Sequence, residues 1–446
     1  MFTFPVAHFG GELSYEIDQS IRFDKTTSSH LSKTYGSAGN RRTWTFSTWF
    51  KRGKIDGTRQ SLFAAGGPAY LQIGPDAASR EMITILNEGS GTNLNWYTTQ
   101  VFRDPSAWYH LVWQFDSTQA SGDDRTKLYI NGSQVTDFTK AVTPSLNLEG
   151  AINNAVEHKI GELHIANYYF DGYQAEINFI DGTALDASSF GEYNADGVWI
   201  PKKYSGSYGS NGFYITGATA SDLGEDFSGN NNDYTSSGLT TADQMVDTPT
   251  TVYPTINPTF DYYTSGNTSY YRPNYAVSIV SDGDLKIVYA SPNTPINYCT
   301  MSFGSSGKFY FEVTAAVASA LVIGIGGSKN IELGIGGSSS TAMANVIGYY
   351  ANGTLFDQNA TAATYGNASS IANGEFVGVA YSVDDDAIWF CDNGTWVDGN
   401  GTESSATVLA QIEAGNTTSA ASTGFTDDQN AWFPFVAAVG DYPTAV

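Results

Sequence analysis

The sequence predicts an all-β chain folded as two antiparallel β-sandwiches in tandem, with very little helix. Three observations carry this expectation. Tyr109, Leu111, Trp113 and Phe115 alternate with His110, Val112, Gln114 and Asp116, the two-residue period of a strand with one face in a core. Charged residues are only 15% of the chain, against about 25% in an average domain. Ser, Thr, Asn and 47 Gly fill the deficit, a mixture suited to short strands and tight turns. No long window shows the 3.6-residue apolar spacing of a helix.

The elements follow in order. Residues 1–17 form an arm, with Phe2, Phe4 and Phe9 as candidate anchors. Ser20–Asp24, His30–Ser32 and the alternating run Arg41–Phe50 read as the opening strands of the first sandwich. Gln60–Ala65, Ala69–Ile73, Met82–Leu86 and Leu94–Tyr97 continue it, separated by Gly, Pro and Asp. Strand Trp108–Asp116 is followed by a polar loop, strand Thr126–Ile130 and Asn131-Gly132, the strongest short hairpin signal. His158–Ile165 and Tyr173–Asp181 are further strands, and Thr183–Phe190 is expected to be a short helix. The first domain is thus placed at 18–247. A Pro-rich linker, TPTTVYPTINP, covers 248–258. Residues 259–446 form a second β-domain with strands at Gly307–Val313, Ala320–Gly327, Val346–Leu355, Glu375–Val383 and Ala387–Trp396.

The blocks WYHLV…KLYING and IGE…AEINFIDGTAL resemble laminin-G-like, concanavalin A-like lectin/glucanase domains over about residues 18–192. The resemblance implies a jelly-roll sandwich of a class that mostly binds glycans or proteins. The series GKFYFEV, IGIG, GYYANG, GEFVGVAYSVD, IWFCDNG and WFPF resembles the SPRY family, which has a similar sandwich. SPRY domains usually add one strand after the last of these blocks, whereas this sequence stops at Val446. Either the polypeptide continues or a partner supplies the missing edge.

Lys and Arg number 21 against 45 Asp and Glu, a net charge of −24 with pI near 4.3. Such a chain repels phosphate backbones, which argues against nucleic acid and anionic membrane as partners. Met1-Phe-Thr-Phe-Pro-Val lacks the basic start and apolar core of a signal peptide. Ala315–Gly327 is too short and glycine-rich to span a bilayer. The chain is therefore expected to be made in a cytoplasm and to stay soluble. Cys299 and Cys391 read as two buried thiols rather than a disulfide framework.

Catalytic signatures are sparse. The Glu-x-Asp-x-x-Glu strand of laminarinase-type glycosidases is approached only by Glu16-Ile17-Asp18, with Ile21 where the second Glu belongs. Glu162 and Glu176 lie in strands without a partner at the required spacing. No G-x-S-x-G, zinc cluster or paired-histidine motif is present, and His110 reads as structural. The repeated GIGGS at Gly324 and Gly334 lacks the Lys-Ser/Thr of a phosphate loop and reads as turns or bulges.

Glycan binding needs aromatic faces for sugar rings and polar groups for hydroxyls. Asn93, Asn95, Trp96 and Tyr97, together with Asn167, Tyr168 and Tyr169, combine both and are the candidate glycan-binding residues. Packing of the same rings in cores or interfaces is the competing reading. Asp226, Asn230, Asn232 and Asp233, in a dense DFSGNNND turn, can offer oxygens to Ca²⁺. The absence of a Glu-terminated calcium loop favours a plain turn.

A laminin-G-like domain followed by a SPRY-like domain resembles structural proteins of tailed bacteriophages. That resemblance implies a non-enzymatic virion surface protein, a tail fibre or adhesin recognising host cell-surface polysaccharide. Its alternative is a capsid or tail decoration protein bound to other virion proteins. A polysaccharide depolymerase is the third reading. Self-association is expected in either structural role, with trimers common among such fibres.

Overall fold

The computed structural model describes residues 15–438, apart from the segments 67–68, 77, 90–92, 164–167, 258–261, 266–267, 272–277, 282, 290–295, 316–320, 328–345, 351, 358–362, 366–369, 400–403 and 425–430. The described residues form two compact units that divide between Val252 and Tyr253, with Ser281 and Gly283 joining the first. The division falls inside the segment expected to be a linker. That segment is anchored rather than free. Thr248, Thr250, Val252, Thr255 and Ile256 are buried, and Thr250 Oγ1 accepts the Ile17 amide.

The first unit is a sandwich of two antiparallel sheets. One runs in the order Ser133–Gln134, Thr126–Ile130, Trp108–Asp116, Thr43–Arg52, Gly172–Asp181, Ser20–Phe23, Gln244–Met245, with Phe213–Ile215 also on Gly172–Asp181. The other runs Phe138–Val142, Leu94–Val101, Glu81–Asn87, Ala69–Pro75, Gln60–Ala65, Glu157–Ile160, His30–Thr34, Thr235–Ser237. Alternation explains the layering. Trp44, Phe46 and Phe50 point from one sheet, and Phe63, Leu71, Ile85 and Trp96 from the other, into one continuous core. Phe46 and Phe63 stack across it with centroids 4.4 Å apart. Removing such apolar surface from water is the main force holding the sheets together.

The hairpin after Trp108 pairs Trp113 with Leu128 and Leu111 with Ile130. Asn131 and Gly132, which turn Thr126–Ile130 into Ser133–Gln134, both have positive φ, 48° and 80°, as a tight primed turn demands. The helix expected over Thr183–Phe190 is instead a single 3-10 turn, Ala187–Ser189, capped by the Asp186 carboxylate. Three residues are too few to nucleate an α-helix.

The second unit is also a two-sheet sandwich. Its larger sheet includes Ile296–Tyr298, Trp432–Ala438, Leu321–Gly327, Val346–Tyr350 and Thr354–Asp357 in that order. The smaller runs Lys308–Thr314, Phe376–Ser382, Ala387–Asp392, Thr395–Trp396. Ile323, Ile347 and Trp432 meet Val379, Ile388 and Phe390 in its core. Trp432–Ala438 bonds to a strand on each side, Ile296–Tyr298 and Leu321–Gly327. Gly324 lies in a strand, where an added Cβ would sit 1.9 Å from the Ile347 carbonyl oxygen. The second GIGGS copy lies outside the described residues. Cys299 and Cys391 are free thiols.

The second unit also carries an α-helix that apolar spacing did not signal, α1, Ser405–Ala414. Ser404 Oγ accepts the Thr407 amide at its start, and Gly415, at φ 72°, closes it in the left-handed conformation. Among the described residues, no helix is long and apolar enough to cross a membrane.

Candidate functional site

The outward face of the second sheet of the first unit carries one of the candidate tyrosines, Tyr97. In strand Leu94–Val101, Leu94, Trp96 and Thr98 are buried, while Asn95 and Tyr97 are partly exposed on the opposite face. Trp96 is 6% exposed and its ring lies 4.4 Å from Phe138 in the core. It therefore offers no face to a sugar, a correction that follows from the two-residue period linking it to Leu94.

Tyr97 faces outward, and its strand partners define a ladder. Gln72 pairs with Thr84, Thr84 with Tyr97, and Tyr97 with Lys140. The next rung pairs Tyr70 with Leu86, Leu86 with Asn95, and Asn95 with Val142. Directly paired residues share a face, so Tyr70, Gln72, Asn95 and Tyr97 lie on one surface. The Lys140 ammonium stands 5.0 Å from the Tyr97 ring centroid. Burial, and next the nearby Tyr97, raise the Tyr70 hydroxyl pKa, with a smaller push from Tyr168. The three tyrosines are thus electrostatic neighbours.

Two amide atoms on this surface are buried without a hydrogen-bond partner, Gln72 Nε2 and Asn95 Oδ1. An unmade hydrogen bond costs about 1–3 kcal/mol. Gln72 is 1% exposed and both atoms are closed to solvent, so the groups this surface offers to a ligand are the partly exposed Tyr70 and Tyr97 rings and the Lys140 ammonium.

The remaining candidates are distributed as follows. Asn93 Oδ1 accepts the Gly89 amide and shapes a loop. Tyr168–Tyr169 pairs with Glu162–Leu163 in a two-stranded hairpin. Tyr169 lies 6.3 Å from the His30 ring. Glu162 accepts from Lys159 Nζ at 2.6 Å, and its carboxylate is 3.3 Å from His30 Nδ1. Asn167 lies outside the described residues. Tyr70, Gln72 and Lys140 were not singled out in the sequence. Their proximity to Tyr97 arises from strand pairing, which no local motif announces.

The proposed calcium ligands form a closed turn. Asp226 accepts from the Tyr214, Ser228 and Asn232 amides, each at 2.8 Å, and from Ser228 Oγ at 2.8 Å. Asp233 accepts the Asp226 amide. Asn230 and Asn232 use their Nδ2 donors on the Gly209, Ser210 and Gly212 carbonyls. Loop donors already occupy the Asp226 carboxylate, the arrangement of an Asx-type turn. Among the described residues no group of three or more His, Cys, Asp or Glu is placed to hold a metal.

Glu176 is the most perturbed acid. It sits at the bulge in Gly172–Asp181 with φ 51°, the strained geometry that often marks a functional position. Burial pushes its pKa up to about 7, opposed by hydrogen bonds from Tyr214 and Tyr15. Tyr214 Oη donates to both carboxylate oxygens at 2.7 and 2.8 Å. Asp171, raised to about 6 chiefly by burial, is five residues away, about 16 Å along the strand. Glycosidase carboxyl pairs are about 5–10 Å apart, so these two do not form one.

The laminin G model described as the concanavalin A-like lectin/glucanases superfamily matches residues 25–188. The first unit accordingly has a concanavalin A-like jelly-roll fold of antiparallel sheets. No curated protein matches the chain. Among solved structures, a putative carbohydrate binding protein from Bacteroides ovatus is 12% identical, with a TM-score of 0.33, and the match covers 50% of this chain. A human SPRY domain is 17% identical, TM-score 0.26, covering 38% of this chain and 92% of its own. Tailspike protein 2 of an Escherichia coli bacteriophage is 12% identical, TM-score 0.27, covering 42% of this chain and 28% of its own. The chain spans 58% of the length of the Bacteroides protein.

Proposed function

We propose that this chain is a non-enzymatic glycan-recognising surface protein of a virion, of the tail-fibre or adhesin kind, that binds host cell-surface polysaccharide. The observation that carries glycan recognition is the ladder that sets the partly exposed Tyr70 and Tyr97 rings and the Lys140 ammonium on the outward side of a lectin-like sandwich. Each site contributes modest stacking and hydrogen bonding, and many copies on one particle multiply it. The virion setting rests on the order of a laminin-G-like and a SPRY-like segment in the sequence. The second unit then serves attachment to other virion proteins.

The test is retention of the purified chain on host cells and on isolated host polysaccharide. Tyr97→Ala and Tyr168→Ala are expected to abolish retention. A wild-type chain that binds no cells and no glycan contradicts the proposal and moves the weight to a decoration role.

A further inference from the structure

The first sheet of the same unit carries a groove of about 340 Å³ on its outward side. Its walls include Tyr129, Asp186, Glu192, Tyr193, Trp199 and Lys202. In Thr126–Ile130 the core takes Leu128 and Ile130, which turns Tyr129 outward, where its hydroxyl donates to Gln114 Oε1 at 3.2 Å. The hairpin Gly191–Tyr193 with Trp199–Pro201 then stands Tyr193 opposite Trp199.

Both rings are fixed. Trp199 Nε1 donates to His110 Nδ1 at 3.0 Å, and His110 Nε2 lies 3.0 Å from Ser47 Oγ. Burial lowers the His110 pKa to about 3. The imidazole is therefore neutral near pH 7, accepts at Nδ1 and carries its proton at Nε2. Gly132 and Gly191 leave room for the indole, since a Cβ at either would lie 2.4 Å from its ring. Tyr193 stands edge-on to Trp199, centroids 4.9 Å apart, with its hydroxyl 3.3 Å from the Asn131 carbonyl oxygen. It is nevertheless 55% exposed. An anchored, half-exposed aromatic ring beside carboxylates and an ammonium is the composition of a sugar platform. Lys202 Nζ and Glu192 Oε2 are 3.8 Å apart at the rim.

We propose that this groove is a second carbohydrate-binding subsite, which takes one neutral hexose of a larger glycan. The sugar face stacks on Tyr193, and its hydroxyls donate to Glu192 and accept from Lys202. Two carboxylates against one ammonium, in a chain of net charge −24, disfavour uronic acids. Glu192, Tyr193, Trp199 and Lys202 lie beyond the matched segment 25–188, whereas Tyr129 and Asp186 lie within it. The inference rests on the glycan-binding reading of the first unit and adds a contact on its other sheet. One unit then engages two glycan segments.

The test is saturation-transfer NMR on the full chain with methyl glycosides of glucose, galactose, mannose and N-acetylglucosamine, and with glucuronic acid as the charged control. At least one neutral glycoside should bind, survive Tyr97→Ala and weaken about tenfold in Tyr193→Ala, the equivalent of one lost stacking contact. Tyr193→Phe should restore it, and a cooperative unfolding transition in Tyr193→Ala should show that the unit stays folded, the variant losing the Trp199 edge contact and the Asn131 hydrogen bond. Binding lost only in Tyr97→Ala overturns the groove and leaves the tyrosine ladder standing. Binding lost only in Tyr193→Ala supports the groove and removes the ladder. Glucuronic acid bound as well as the neutral sugars overturns the specificity. No binding of any glycoside overturns both sites.

Discussion

Glu176→Gln isolates the energetic cost of a buried acid in the lectin-like unit. Glutamine keeps the shape and an acceptor for the Tyr214 hydroxyl but cannot ionise. In the wild type the folded pKa of about 7 lies above the ordinary 4.5. The folded state therefore binds the proton more tightly than the unfolded state. The stabilisation from that proton is complete below pH 4.5 and is lost as pH rises through 7. At about 1.36 kcal/mol per pKa unit, the loss is roughly 3 kcal/mol between pH 4.5 and pH 8. The buried His110 and His158, lowered to about 3 and about 4, act oppositely and cancel between the two proteins. Hydrogen exchange of the Gly172–Asp181 amides reads the stability of this unit separately from the other. Relative to wild type, Glu176→Gln should gain about 3 kcal/mol on going from pH 4.5 to pH 8. A difference that stays flat across this range would refute the reasoning.

Other perturbations test the remaining assignments. Arg52 is wholly buried, and Nη1 donates to Glu81 Oε2 at 2.9 Å and to the Phe102 carbonyl at 2.9 Å. Glu81→Ala leaves that charge uncompensated and should cost about 3–5 kcal/mol in chemical denaturation. Trp96→Ala should destabilise the first unit by about 3–5 kcal/mol, whereas Tyr97→Ala should remove glycan retention with little change in unfolding midpoint. Asp226→Ala strips three backbone amides of their acceptor and should lower stability by roughly 2 kcal/mol or more. A chelator should leave the wild-type Tm unchanged, because loop donors already occupy the Asp226 carboxylate; a fall in Tm would show a bound metal.

Much of the fold was legible because its signals are local. The alternation of Trp108–Asp116 and the Asn131-Gly132 pair specify a strand, a turn and a register within a couple of dozen residues. Helix α1 has clear caps in Ser404 and Gly415, but its apolar residues Val408, Leu409 and Ile412 form too short a stripe to signal it. The tight turn at Ala187–Ser189, where the Asp186 carboxylate accepts the Ser188 amide, starts as a helix does but is not continued. The functional surfaces were less legible. Tyr97 was visible beside its polar neighbours, but the inward Trp96 stands in the same motif and only the face decides between them. Tyr70 and Tyr97 share a face only because their strands both pair with Glu81–Asn87, and Tyr193 and Tyr129 share a groove only in the folded unit. His110 reads as a family strand residue, and only the fold reveals that it holds Trp199.

The most direct test of glycan recognition is a glycan array and host-cell pull-down with the wild-type chain, Tyr97→Ala and Tyr168→Ala, each with and without calcium. The account predicts wild-type binding to host polysaccharide that is independent of calcium and lost in both variants. Binding undiminished in both variants, or no wild-type binding under either condition, would contradict it.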